Sequence, residues 1–412
     1  MVLPHVLPAV AALFERSGLT PLRLAGRSVL PIVQGGMGVG VSAHRLAGSV
    51  AALGAVGTLS SVDLRRHHPD LMERTQGLAT RIGAQAQAEA KAAINAANLE
   101  ALRPEIARAR ELAGGLGLVA VNVMRAVAEY AAQVRTSLEA GIDAVVVGAG
   151  LPLDLPDLAA EHPRAALVPI LSDARGVALI VRKWERKKRL PDAIVIEHPR
   201  LAGGHLGAAR IADLADPRFD FERVLPESRE FLRSAGVERE VPLIAAGGVR
   251  SHADIARLQA LGAAAVQLGT PFAVTTEGDA HPEFKRVLAE ARPEDIVTFM
   301  SVAGLPARAV KTPWLANYLR REAKLQRCAK ADPTRCASGL HCLTQCGLRD
   351  GIARAGQFCI DQQLVAALKG DVAKGLFFRG AASLPFGNEI RPVRDLVGYF
   401  LTGLKTLNAI AA

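Results

Sequence analysis

Aromatic residues make up only 4% of this 412-residue chain, so its interior has to be built from Ala, Val, Leu and Ile. The shortage also argues against single-strand nucleic acid binding, which interleaves aromatic platforms with basic residues. No cysteine occurs before residue 328, which argues against a disulfide-stapled secreted fold. No uncharged apolar run is as long as a bilayer span, and glycines interrupt the longest ones. The opening MVLPHVLPAVAALFERSGL has neither a basic start nor a small-x-small cleavage site, and reads as a packed segment rather than a signal peptide. These absences set the expectations of a cytoplasmic location, no membrane and no nucleic acid partner.

Half of the residues are hydrophobic and 22% are charged, ample for one large domain with an appended segment and too apolar for disorder. The net charge of +10 favours anionic small molecules or an acidic partner. Eight short apolar runs read as strands: Val29–Val33, Val56–Leu59, Leu118–Asn122, Ala144–Gly148, Ala166–Leu171, Ala193–Glu197, Leu243–Ala246 and Ala265–Leu268. Most are continuous, as expected of parallel strands covered on both faces. Helical patterns separate them, including an Ala-rich stretch from Gln85 to Leu112 that reads as two helices. The alternation predicts an α/β fold, a (β/α)8 TIM barrel over 1–270. A lid or side segment follows over 271–315, then a Cys-bearing C-terminal extension over 316–412.

Several strand ends carry chemistry. The runs VPLIAAGGV and AVQLGT look like the last two barrel strands, whose loops offer backbone N–H groups to a phosphate. There Gly247, Gly248 and Gly269 allow close approach, and the Thr270 hydroxyl adds a hydrogen bond. The first strand ends in the glycine-dense QGGMGVG, where a flat ring can lie against the backbone. The third ends in Asn122, a polar residue in an apolar strand that must be paired or functional. Past the sixth, AGGHLG sets His205 between glycines over the barrel mouth, with a pKa suited to acid–base work. No strand-end lysine stands out as a Schiff-base nucleophile, which weakens an aldolase reading.

The ordered set PIVQGGMG, VAVNVM, VVVGAG, AGGHLG, PLIAAGGV, AVQLGTPF and EGDAHPEFK resembles the FMN-dependent nitronate monooxygenase (2-nitropropane dioxygenase) family, which also includes FMN-dependent enoyl-acyl-carrier-protein reductases. The resemblance covers roughly residues 20–315. It implies FMN, with its phosphate on Gly247, Gly248, Gly269 and Thr270 and its ring near Gly36, Met37, Asn122, Gly204 and Gln267. It makes His205 the active-site histidine. The implied reaction is oxidation of alkyl nitronates by O2 to a carbonyl compound and nitrite, with His205 as general base. The alternative is reduction of an enoyl thioester or quinone by NAD(P)H through FMN. In that case the basic stretch Arg182–Arg189 could dock an acyl carrier protein, although a solvated helix face is the simpler account. A small-molecule substrate is expected under both, and a homodimer is left open.

All five cysteines, Cys328, Cys336, Cys342, Cys346 and Cys359, fall within the C-terminal segment. Thiolates so clustered suggest a metal ion or iron–sulfur cluster on Cys328, Cys336, Cys342 and Cys346, but no CxxC pair is present. Buried structural thiols or a redox pair are the alternatives.

Overall fold

Eight parallel strands close into a barrel in chain order: β1 (Ile32–Gln34), β2 (Val56–Ser60), β3 (Leu118–Met124), β4 (Ala144–Gly148), β5 (Ala166–Leu171), β6 (Ile194–Glu197), β7 (Leu243–Ala246) and β8 (Ala265–Leu268). Closure is made by β8 on β1, with Val266 opposite Ile32 and Leu268 opposite Gln34. The computed structural model describes residues 3–78, 83–336 and 340–405, so parts of the C-terminal segment lie outside the described residues. None of the described helices is long and apolar enough to cross a membrane.

Side chains alternate across each strand. Val33, Val56, Leu118, Ala120, Ala144, Val146, Ala166, Val168, Val195, Ile244 and Ala265 fill the barrel interior. Their neighbours Val119, Val121, Val145, Leu167, Ile194, Ile196, Leu243 and Val266 face the surrounding helices. The same parity carries Asn122, Glu197 and Gln267 inward at the upper ends of β3, β6 and β8. The barrel core therefore ends in a polar layer.

One strand departs from the sequence reading. The run Val29–Val33 is split: Arg27–Val29 pairs antiparallel with Leu22–Leu24, and β1 starts only at Ile32. Pro31 lies at the break and has no N–H to give a ladder. Ala25 and Gly26, both at positive φ, turn the hairpin. Leu22, Leu24 and Val29 then pack beneath the interior core and plug the bottom of the barrel.

The Ala-rich stretch is one helix, Ala84–Ala113, with Pro104 inside it. It packs on helix His44–Ala52 so closely that a Cβ on Gly48 would lie 2.9 Å from the Ala109 carbonyl oxygen. Above the barrel, Ile296–Met300, Pro306–Val310 and Gly204–His205 form a small antiparallel sheet. The C-terminal helix Val393–Thr402 packs back on the helices Pro8–Arg16 and His252–Ala260.

Candidate active site

A cavity of about 300 Å³ opens at the C-terminal ends of the strands, where barrel enzymes place their chemistry. Gly36, Met37, Asn122, Gly204, His205, Gly247, Gly248, Gln267, Gly269 and Thr270 all line it. Ten positions spread over more than 230 residues of sequence are thus brought to one space. Apolar side chains such as Val41, Leu288, Ile360 and Leu376 make up much of the remaining wall, a composition typical of cofactor and ligand pockets.

Glycine is required at several wall positions. A Cβ on Gly36 would lie 2.3 Å from the Asn122 Cβ, and one on Gly203 would lie 2.5 Å from the Arg379 carbonyl carbon. Gly247 and Gly248 have φ of 108° and 76°, a region that side chains disfavour. Both line the cavity after β7, and Leu201 packs where a Cβ on either would point. Gly269 opens the short helix Thr270–Ala273, and Thr270 Oγ1 accepts the Gly380 N–H at 3.0 Å. The Gly-rich loop after β1 is held by Ser42, whose Oγ accepts the Met37 N–H at 2.9 Å while its N–H donates to the Met37 carbonyl at 3.1 Å.

Helix His44–Ala52 follows that loop. Its N-cap residue is Ala43, which has no capping group. Two carboxylates from elsewhere take over this role: Asp279 accepts the Ala43 and Leu46 N–H groups, and Glu105 accepts that of His44 at 2.9 Å. Glu105 is fully buried. It also meets His44 Nδ1 at 2.9 Å, and His68 Nε2 lies 3.0 Å away.

His205 lies on the small upper sheet, opposite Ala307. Its Nε2 is 2.7 Å from Ser301 Oγ, and its ring meets Phe378 edge-on at 5.6 Å. Ser301 is fully buried, and its Oγ also accepts the Ala303 N–H. Burial pushes the imidazole down to about 4, so it is neutral at ordinary pH and can accept a proton. The neighbouring His198 points away from the cavity toward Asp220, at 3.3 Å.

Sequence reasoning passed over Ser301, Glu197 and the contribution from beyond residue 340. Cys342, Leu343, Asp361, Leu364, Phe378 and Gly380 all line the cavity. Glu197 carried a usable signal, because it stands two residues from the inward-facing Val195. Ser301 carried none, since only tertiary pairing brings it to His205.

The expected metal or cluster on Cys328, Cys336, Cys342 and Cys346 finds no cage. Among the described residues no group of three or more His, Cys, Asp or Glu is arranged to hold a metal ion. Burial pushes the Cys342 thiol well up, and the neighbouring Asp361, Cys359, Cys336 and Cys346 add to the shift. In the basic stretch, Arg182 stacks over Phe231, Lys187 bonds Asp157 and the Leu153 carbonyl, and Arg189 pairs with Asp192. These contacts give half of its six cations an intramolecular use.

The nitronate monooxygenase family model matches residues 24–402, well past the segment that carries the sequence resemblance. A probable nitronate monooxygenase from Bacillus subtilis is 26% identical over 288 residues, covering 69% of this chain and 77% of that protein. Among solved structures, FabK from Thermotoga maritima superposes with a TM-score of 0.61 at 21% identity, covering 96% of this chain and 95% of that one. Nitroalkane oxidase from Streptomyces ansochromogenes gives 0.58 at 20% identity, covering 94% and 96%.

Proposed function

Because the chain belongs to the nitronate monooxygenase family, and is thus an FMN-dependent oxidoreductase, we propose that it oxidises alkyl nitronates with O2 to a carbonyl compound and nitrite. The observation that carries this reading is His205, a neutral, half-buried imidazole over the cavity beside Ser301. FMN fits the residues present. The backbone at Gly247 and Gly248, with Gly269 and Thr270 beside it, would hold the phosphate. The wall of Gly36, Met37, Asn122, Gly204 and Gln267 would hold the ring, and Gly36 leaves no side chain between backbone and Asn122. When bound, FMN supplies the electron-accepting centre.

The protein's own residues then have distinct tasks. The apolar wall admits the alkyl part of the substrate and keeps water out. Ser301 fixes the ring of His205 through Nε2. His205, as general base, takes the α-proton of a neutral nitroalkane and positions a nitronate that arrives already ionised. A base with so low a pKa is weak, so the nitronate is the better substrate of the two.

The deciding experiment is anaerobic mixing of the FMN-loaded protein with propyl-2-nitronate or with NADH, following the flavin absorbance band. The expected result is a rapid change with nitronate and none with NADH. Bleaching by NADH alone would replace this reading with the enoyl thioester or quinone reductase.

A further inference from the structure

Glu197 is a carboxyl inside the cavity that the reaction as described leaves unused. It ends β6 on the inward parity, with its backbone opposite Ala246 of β7, and it lines the same cavity as His205. The flanking strands present only Ile170 and Ala246 to the cavity near it, and neither carries charge. The Gly207 N–H donates to it, and the Ser172 hydroxyl lies against Gly207. The charge that reaches it comes from Arg308, on the strand Pro306–Val310. That guanidinium is itself spent on the carbonyls of Pro199 and Ala202. The imidazole of His205, on the same small sheet, is neutral. Burial lifts the Glu197 carboxyl to about 7, against the opposing pull of Arg308 and the Gly207 N–H.

Away from the backbone after β7 and β8, the wall offers an anion little charge. Among the described residues lining the cavity, Arg379 is the one guanidinium, and it donates to the carbonyls of Leu288, Gly380 and Ala382. The other lining carboxylate, Asp361, lies 3.6 Å from Arg66. Beside β6 an anionic head group therefore meets no lining guanidinium that lacks a protein acceptor, and a carboxylic acid at Glu197 is a neutral donor on that side.

We propose that the protonated Glu197 carboxyl donates a hydrogen bond to the oxygens of an anionic substrate head group, and that its ionisation turns the same anion away. The substrate class rests on the nitronate reading; the carboxyl's control over anion entry does not. The sign follows from linkage. The anion-binding form holds one more proton, so affinity is full below the carboxyl pKa and falls about tenfold per pH unit above it.

The test uses the FMN-loaded protein and nitrite, which stays an anion throughout, with binding read from perturbation of the flavin absorbance and not from turnover. The Kd is measured from about pH 5.5 to about pH 8.5, straddling the Glu197 value. The native protein is expected to weaken about tenfold per unit on the alkaline side, whereas E197Q holds one affinity across the range. E197A is the second variant, should E197Q fold poorly, and it too loses the slope. A flat native profile, or an equal slope in either variant, overturns the proposal. Nitrite binding with this pH dependence in a protein that leaves nitronate untouched would support the role of Glu197 and remove the nitronate reading alone.

Discussion

Replacing His205 with alanine is expected to lower kcat/KM for a neutral nitroalkane such as nitroethane by about 100- to 10,000-fold, the usual contribution of a positioned general base. The same variant should lose less than about tenfold on preformed propyl-2-nitronate, because that substrate has already given up its proton. The contrast arises from one imidazole held through its Nε2 against Ser301. Burial depresses the histidine pKa to about 4, so the base is in its accepting form at every pH above that. The native nitroalkane rate should therefore show its acid limb near pH 4, not near the ordinary histidine value of 6.5. Steady-state oxygen consumption with the two substrates decides the matter. Equal losses on both would make His205 a binding residue and end its assignment as base.

The second large effect lies outside the cavity. Glu105→Ala should reduce the unfolding free energy by about 3–5 kcal/mol, the typical result of removing one partner from a buried ion pair. The substitution strips a carboxylate from beneath His44 and His68 and leaves the His44 N–H at the helix start without its acceptor. Burial alone would raise the Glu105 carboxyl, but the hydrogen bonds and charge of His44 outweigh it and hold the pKa below 4.5. The same contact raises His44 above 6.5. The Glu105 contribution is present above 4.5 and fades as pH falls through the carboxyl's folded value. The His44 contribution is present below 6.5 and fades as pH rises through the imidazole's folded value. The penalty should thus be greatest between those limits. Urea unfolding of both proteins at three pH values checks this, and a loss under about 1 kcal/mol throughout would refute it. Glu105→Gln keeps an acceptor for the His44 N–H and should cost less. Because helix His44–Ala52 anchors the loop of Gly35–Gly40, the alanine variant should also bind FMN more weakly.

The barrel was legible because parallel strands buried on both faces leave continuous apolar runs, and all eight strands lie where those runs do. The exception is instructive. Val29–Val33 is apolar throughout, yet Pro31 divides it between a plug and a barrel strand, and apolarity cannot distinguish those two uses. The glycine positions and His205 were legible because each sits just past a strand end, where barrel topology itself supplies the third dimension. Ser301 was not legible, since the pairing of Pro306–Val310 with Gly204–His205 depends on a register that no local pattern encodes. The wall after residue 340 was hidden for a related reason. Cys342 and Gly380 come from segments with little regular structure, where period carries no information, and Asp361 opens the short helix Ile360–Leu368, whose place over the barrel no local pattern encodes. There the cysteine spacing drew attention to a metal, and among the described residues no group of three or more His, Cys, Asp or Glu is arranged to hold one.

The cavity wall draws on segments far apart in the chain, with Gly247, Gly248, Gly269 and Thr270 after β7 and β8 on one side and Phe378–Gly380 on another. A ribosome delivers Phe378–Gly380 only after the whole barrel. For most of synthesis the nascent barrel would be an open funnel, with Thr270 lacking Gly380 and Gly203 lacking Arg379. A chain cut before Leu376 would lack this side of the cavity wall.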